Sequence, residues 1–281
     1  MKIIILRKRN FFLNIIAIVI LVVLLFPLYW MFVTSIKFER EIFLSPPTLF
    51  PQEISTVPYS AQLESGDFNM FRAFGISTVI ALSTMLIVLL LAVPASYGLA
   101  RFRFTGKKLF ALYFLITQML PVAVLLTPLF ILFKRMSLID SSIISTILAD
   151  ATIGIPFSVL ILRPYFSSIP NDLEDAAQID GCSRFTAFIR IFLPVAKTGL
   201  TVCGVFSFLF AWGDLVYGLT FIHDQKMRPI TAGIFNFLGQ YGTKWSYLCA
   251  FGVVTIIPVV MIFVFMQKFI ISGLTEGSVK E

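Results

Sequence analysis

The chain has 281 residues, 58% of them hydrophobic and only 13% charged, with 31 phenylalanines and a formal net charge of +7. Soluble globular domains do not carry this much apolar sequence, so the composition excludes them and points to a polytopic membrane protein. The positive balance fits lysine and arginine held on the cytoplasmic side of a membrane, and nucleic-acid binding is excluded because no basic face is interleaved with exposed aromatics.

Apolar runs of about 20 residues cross a bilayer as helices, because lipid offers backbone groups no hydrogen-bond partners. Six can be drawn, giving an all-α fold expected to be a single domain over 1–281. The first, 11–36, follows the basic "MKIIILRKRN". It is too long for a signal-peptide core and has no small-x-small cleavage site, so it reads as an uncleaved anchor. A loop with Pro46, Pro47, Glu53, Pro58, Glu64 and Asp67 then leads to spans 71–100, 109–133 and 143–166. Spans 195–221 and 248–271 complete the set. Prolines 27, 94, 121, 128, 156 and 258 fall inside spans, where each removes a backbone donor and can kink its helix. With the N-terminus inside, fourteen lysines and arginines fall on cytoplasmic segments and eight on external ones. That bias places both termini in the cytoplasm.

Chemistry-bearing residues are sparse. Cys182, Cys203 and Cys249 form no C-x-x-C pair, and His223 has no nucleophile context, so neither a metal site nor a catalytic residue is assigned. No phosphate-binding P-loop occurs either. Arg101 stands where the first glycine before Gly106-Lys107 is needed, and Lys108 stands where the serine or threonine is needed. Asp150 lies roughly 12 Å into the fourth span at about 1.5 Å per residue. A carboxylate there is either an acceptor on a solute path or a packing hydrogen-bond partner, and both readings stay open. Gln118 shares that ambiguity. Trp212 and Asp214 lie toward the outer end of the fifth span, where Trp212 reads first as part of an interfacial belt and second as a stacking platform.

One polar stretch interrupts the apolar sequence: "NDLEDAAQIDGCSRFTAFIRIFLP", 171–194. Asn171 suits a helix cap with Glu174 three places on, and acids crowd the first turn, where the helix dipole favours them. Leu173, Ala176 and Ala177 share a face at helical spacing, with alanines allowing close approach. Gly181 suits a left-handed helix end and Ser183 a second cap. Phe185, Phe188, Ile189 and Phe192 then form an apolar stripe that Pro194 closes. Taken alone, the pattern describes a helix-turn-helix elbow at a membrane surface, or an interfacial amphipathic loop without a partner.

The stretch resembles the EAA signature of permease subunits in ATP-binding-cassette importers: Asp175-Ala176-Ala177, Gly181, then Ile191, Leu193 and Pro194, with every spacing kept and Asp for Glu at the first position. "IPFSVLILRPYFSSIP", "FAWGDLVYGLTF" and "MQKFIISGLTEGSVKE" are similar to the carbohydrate branch of maltose-transporter type, although Gly213 and Ser278 depart from its usual residues. The resemblance implies a permease subunit for a sugar or oligosaccharide in a bacterial or archaeal cell membrane. It implies three kinds of partner: a second permease, two ATPase subunits and an extracytoplasmic solute-binding protein. Glu174, Asp175, Ala176, Ala177, Gly181, Ile191, Leu193 and Pro194 would form the coupling element. ATP and magnesium would sit on the ATPase and no cofactor on this chain. A polyol or glycerol-phosphate solute is the alternative within the class. Outside it stand a secondary transporter, which needs no docking elbow, and a membrane enzyme, for which no constellation appears.

Overall fold

The structure is a computed structural model describing residues 2–64, 69–139, 142–239 and 242–276; Asp67 and the tail from Gly277 lie outside them. In chain order the helices are α1 (Lys2–Ser35), α2 (Glu39–Ile42), α3 (Val57–Glu64), α4 (Met70–Arg101), α5 (Lys107–Met119), α6 (Val122–Arg135) and α7 (Ser142–Ser168). There follow α8 (Asn171–Ile179), α9 (Arg184–Ala187), a π-helical turn Phe188–Phe192, α10 (Leu193–Val195), α11 (Lys197–Gly213), α12 (Val216–Phe221) and α13 (Trp245–Glu276). Apart from the two-residue antiparallel pair Leu238–Gly239 and Gly242–Thr243, the regular structure described is helical.

Among the described residues, four helices contain stretches long and apolar enough to cross a membrane: 13–35, 70–101, 143–168 and 245–266. Two further pairs pass the same test but are bent, α5 with α6 by 104° and 184–195 with α11 by 77°, so the number is six if each bent pair is one span. The run 109–133, drawn from sequence as one helix, therefore breaks. Pro121 occupies the cap position of α6 and Leu120 before it is extended (φ −77°, ψ 126°), the conformation a following proline favours. Pro27, Pro94, Pro128, Pro156 and Pro258 all lie inside helices that continue past them.

The chain divides into two compact units, Met1–Met70 with Ile234–Ile257, and Phe71–Gly233 with Pro258–Glu281. In the first, the most apolar window of α1 buries no residue against its own chain. In a bilayer that is no penalty, since lipid tails are as apolar as leucine. The segment after α1 is a folded polar knot. Lys37, only 3% exposed, donates to the Thr48 carbonyl, lies 3.9 Å from Glu41 Oε1 and sits 5.2 Å from the Trp30 ring centroid. Glu41 Oε1 also accepts from Thr48 Oγ1 at 2.6 Å and from the Gln52 N–H at 3.0 Å. Glu39 Oε1 accepts from both the N–H (2.9 Å) and the hydroxyl (2.7 Å) of Ser246, and Gln62 donates to the Tyr247 carbonyl at 3.1 Å.

In the second unit α7 is the central element, packed on α5, α11 and α12. Close helix contact rests on small residues: a Cβ on Gly154 would lie 2.7 Å from a Val88 methyl. A buried cluster of Val93, Tyr97, Leu162, Phe166, Phe192 and Cys203 joins α4, α7 and α11 to the elbow between them.

Burial pushes the Glu41 carboxyl up, but the bonds from Thr48 and Gln52 and the Lys37 charge outweigh it and hold the group below the usual carboxylate range. A carboxyl depressed in the folded chain contributes stability that is complete above its unfolded value and is lost as pH falls through its folded value. Glu41→Gln should thus destabilise the fold at neutral pH, by about 1–3 kcal/mol, and flatten the acid side of the stability profile. Thermal melts between neutral and acidic pH check this, and an unchanged acid limb in the variant would count against it.

Candidate functional site

The elbow is built by short-range rules. α8 starts at Asn171 with Pro170 in the cap position, so the expected Asn171 cap is corrected. Proline at the boundary has no N–H to lose, and the helix can begin one residue earlier in register. At the other end Gly181 has φ +83°. The Gly181 N–H donates to Gln178 O (3.0 Å) and the Cys182 N–H to Ala177 O (2.9 Å), the two bonds of a Schellman motif. Ser183 then caps α9, its hydroxyl accepting from the Thr186 N–H at 3.2 Å.

Arg101, the last residue of α4, fastens this elbow to the bundle. Its Nε lies 3.2 Å from Glu174 Oε2, with the two side chains 6% and 14% exposed. One terminal nitrogen donates to Ile169 O at 2.9 Å and the other to Pro170 O at 3.4 Å. The guanidinium also lies 4.7 Å from the Phe192 ring centroid. One side chain thereby holds the end of α7, the first turn of α8 and the π turn. Sequence reasoning missed this residue; its only signal was an arginine at the end of an apolar run.

The expected coupling residues separate into two faces. Ala177 is 3% exposed and packs in its own core, so its expected role as a small surface offered to a partner is corrected. Glu174 is likewise turned inward onto Arg101. Asp175, Ala176 and Gly181 face out, with Ile179 86%, Phe185 72%, Ile189 45% and Leu173 43% exposed. The predicted stripe therefore splits, because Phe188 and Phe192 pack on Tyr97 (ring centroids 4.7 and 5.1 Å) while Phe185 and Ile189 do not join them. Ile191 and Leu193 are partly buried against the same cluster. Pro194 does not close the second helix. It sits in the first turn of α10, directly after the π turn, where no intrahelical donor is required of it.

The intramembrane candidates have different fates. Gln118 donates to Ile153 O at 2.8 Å, tying α5 to α7. Trp212 is 2% exposed, edge-on to Phe74 (5.2 Å) and stacked with Phe208 (5.9 Å), so the interfacial-belt expectation is corrected to core packing. Asp214 accepts the N–H groups of Tyr217 (3.3 Å) and Gly218 (2.9 Å) and so satisfies the open first turn of α12. Asp150 is fully buried, and neither carboxyl oxygen has a hydrogen-bond partner among the described residues. The packing hydrogen bond weighed for it is absent there. Asp150 and Asp214 lie close enough to interact electrostatically around Tyr217. Among the described residues no group of three or more His, Cys, Asp or Glu could hold a metal.

Residues 89–276 match the family described as the inner membrane component of binding-protein-dependent transport systems. The chain is 30% identical to the diacetylchitobiose uptake system permease protein DasC of Streptomyces coelicolor, over 95% of this chain and 96% of that one. It is 33% identical to the sulfoquinovosyl glycerol transport system permease protein SmoH of Agrobacterium fabrum (94% and 92%). Identity to the arabinooligosaccharides transport system permease protein AraQ of Bacillus subtilis is 32% (91% and 90%). Its fold is like that of a chain in the crystal structure of a bacterial transporter involved in import of the acidic polysaccharide alginate, with TM-score 0.77, 19% identity, and 93% and 96% coverage.

Removing one partner of the Arg101–Glu174 pair leaves a nearly buried charge uncompensated. Arg101→Ala and Glu174→Gln should each loosen the elbow, by about 3 kcal/mol for the arginine, and the double variant should lose less than the sum. Proteolysis at the exposed turn near Gly181, compared across the cycle, reads this out. Additive effects would mean the two side chains are not coupled.

Proposed function

Because the chain belongs to the inner membrane component family of binding-protein-dependent transport systems, we propose that it forms one half of the translocation path of an ATP-driven importer for a sugar or oligosaccharide. A second permease supplies the other half, two ATPase subunits bind ATP and magnesium and perform the hydrolysis, and an extracytoplasmic binding protein delivers the solute. Both termini and the elbow face the cytoplasm. Relatives whose names specify diacetylchitobiose and arabinooligosaccharides support the carbohydrate class.

The observation that carries the coupling role is the division of the elbow into a fastened face and a free one. The inward face is held by Arg101, Ala177 and Phe192, while Leu173, Asp175, Ala176, Ile179 and Phe185 are exposed. An exposed apolar patch beside acids is the surface a basic-rimmed cleft would take. Force applied to it passes to α4, α7 and α11 through packed contacts, which is what coupling requires. Asp150 serves the solute path in a conformation that opens the contact of α7 with α12, since a buried carboxylate without partners is costly to retain for packing alone.

Ala176→Arg and Ile179→Asp should leave membrane insertion intact, weaken ATPase co-purification roughly thirtyfold and abolish uptake. In a background lacking the native cysteines, Gln178→Cys should resist external labelling in sealed cells and react once the membrane is opened. Normal ATPase binding in both surface variants would remove the elbow as the docking element, and efficient external labelling would reverse the orientation.

For Asp150→Leu no side-chain hydrogen bond to the described residues is lost, so expression and thermal stability should hold or rise while uptake falls. Uptake and solute-stimulated ATP hydrolysis measured on the same reconstituted complex decide it: if both survive, Asp150 has no part in the path.

A further inference from the structure

Beside the elbow lies a pocket of about 500 Å³ lined by Arg101, Phe102, Arg103, Glu174 and Arg184. Three guanidiniums meet a single carboxylate there, and that carboxylate is already engaged, Glu174 lying 3.2 Å from Arg101. Arg101 also donates to the Ile169 and Pro170 carbonyls. The uncompensated charge is that of Arg103 and Arg184, neither of which has an ion-pair partner among the described residues. Arg184 rests 6.0 Å from the Phe102 ring centroid, and Lys107 donates to the Ala100 (3.1 Å) and Phe102 (3.3 Å) carbonyls, which fixes the loop carrying Arg103. A pocket with two spare guanidiniums takes an oxyanion, and planar forked donors favour a phosphate.

The surroundings distinguish one source of phosphate. Arg101 ends a stretch apolar enough to cross a bilayer, so the pocket lies at the end of a candidate span, where lipid headgroups are expected. Phe102 of its lining is 42% exposed, and the chain just beyond it carries Phe104 (43%) and, on α5, Leu109 and Phe110 (70% and 55%), with the Phe104 and Phe110 rings 6.0 Å apart. A free anion would use only the charge. An amphiphile uses the charge and the apolar rim together. We propose that this pocket binds the headgroup phosphate of an anionic phospholipid, with the acyl chains against Phe104, Leu109 and Phe110. A bound lipid would then touch the side chains that fasten the elbow, so the lipid composition of the membrane would bear on its stability. The inference needs neither the solute class nor the ATPase.

The test is native mass spectrometry of the full chain, purified with its accompanying subunits from mixed phosphatidylglycerol and phosphatidylcholine. The wild type should retain phosphatidylglycerol in preference. Arg103→Gln and Arg184→Gln should each reduce that preference about fivefold, the lysine replacements should keep most of it, and Lys134→Gln with Arg135→Gln at the end of α6 should leave it unchanged. Inorganic phosphate should not displace the lipid. Equal retention of the two lipids, or a preference that survives loss of both arginines, overturns the proposal. Displacement by inorganic phosphate reassigns the pocket to a free anion. Loss of ATPase co-purification with unchanged lipid retention assigns the arginines to the protein interface. An elbow that fails to dock while wild-type lipid preference persists defeats the coupling reading alone.

Discussion

The guanidinium of Arg101 is the point through which the elbow becomes part of the bundle. Helix ends leave carbonyl groups without intrahelical donors, and a chain that turns sharply at a membrane surface has several of them close together. Arg101 meets two, at Ile169 and Pro170, and balances its charge on Glu174. Lysine has three donors on a flexible stem and no planar fork, so it could not serve carbonyls, carboxylate and aromatic ring at once. Because both charged side chains are nearly buried, the pair orients the segment strongly even though its net stabilisation is modest.

Fastening one side of α8 leaves the other side free, and that asymmetry matters more than the amphipathic pattern itself. Ala177 and Asp175 are two residues apart, yet one is in the core and the other exposed. The glycine turn at 181 and the π turn at Phe188–Phe192 complete the shape. Gly181 reverses the chain at a φ that a residue with Cβ adopts only under strain. Phe188 and Phe192, the first and last residues of the π turn, both pack on Tyr97. Turns of this kind recur at functional places in helices because they re-aim side chains without ending the helix.

Two acids in similar sequence surroundings show how far environment decides role. Asp214 lies where a helix starts, and its carboxylate accepts two of the N–H groups that α12 leaves open. Asp150 lies inside α7, where the backbone donors serve the helix, and neither of its carboxyl oxygens has a hydrogen-bond partner among the described residues. Desolvating an unpaired carboxylate is unfavourable in any folded protein and more so within a membrane. The same chemical group is thus hydrogen-bonded to the first turn of α12 in one position and unsatisfied by the described residues in the other.

Composition and local pattern made much of this legible. Apolar runs of membrane length determine helices because the backbone must satisfy itself in lipid, and 13–35, 70–101 and 143–168 follow that rule. Gly181 and Ser183 act within a few residues of themselves, so their roles as turn and cap were readable, as was the signature spacing from Asp175 to Pro194. The break at Leu120–Pro121 was not, because Pro27, Pro94, Pro128, Pro156 and Pro258 stay inside their helices and only packing separates the cases. Nor were the inward turns of Glu174 and Ala177, the burial of Trp212, or the isolation of Asp150. Local pattern settles which segments are helical, where the elbow turns at Gly181 and which family the chain resembles, since those depend on neighbours along the chain. Which face each helix buries and which charge meets which follow from packing alone, because Arg101 and Glu174 are brought together across 73 positions of sequence.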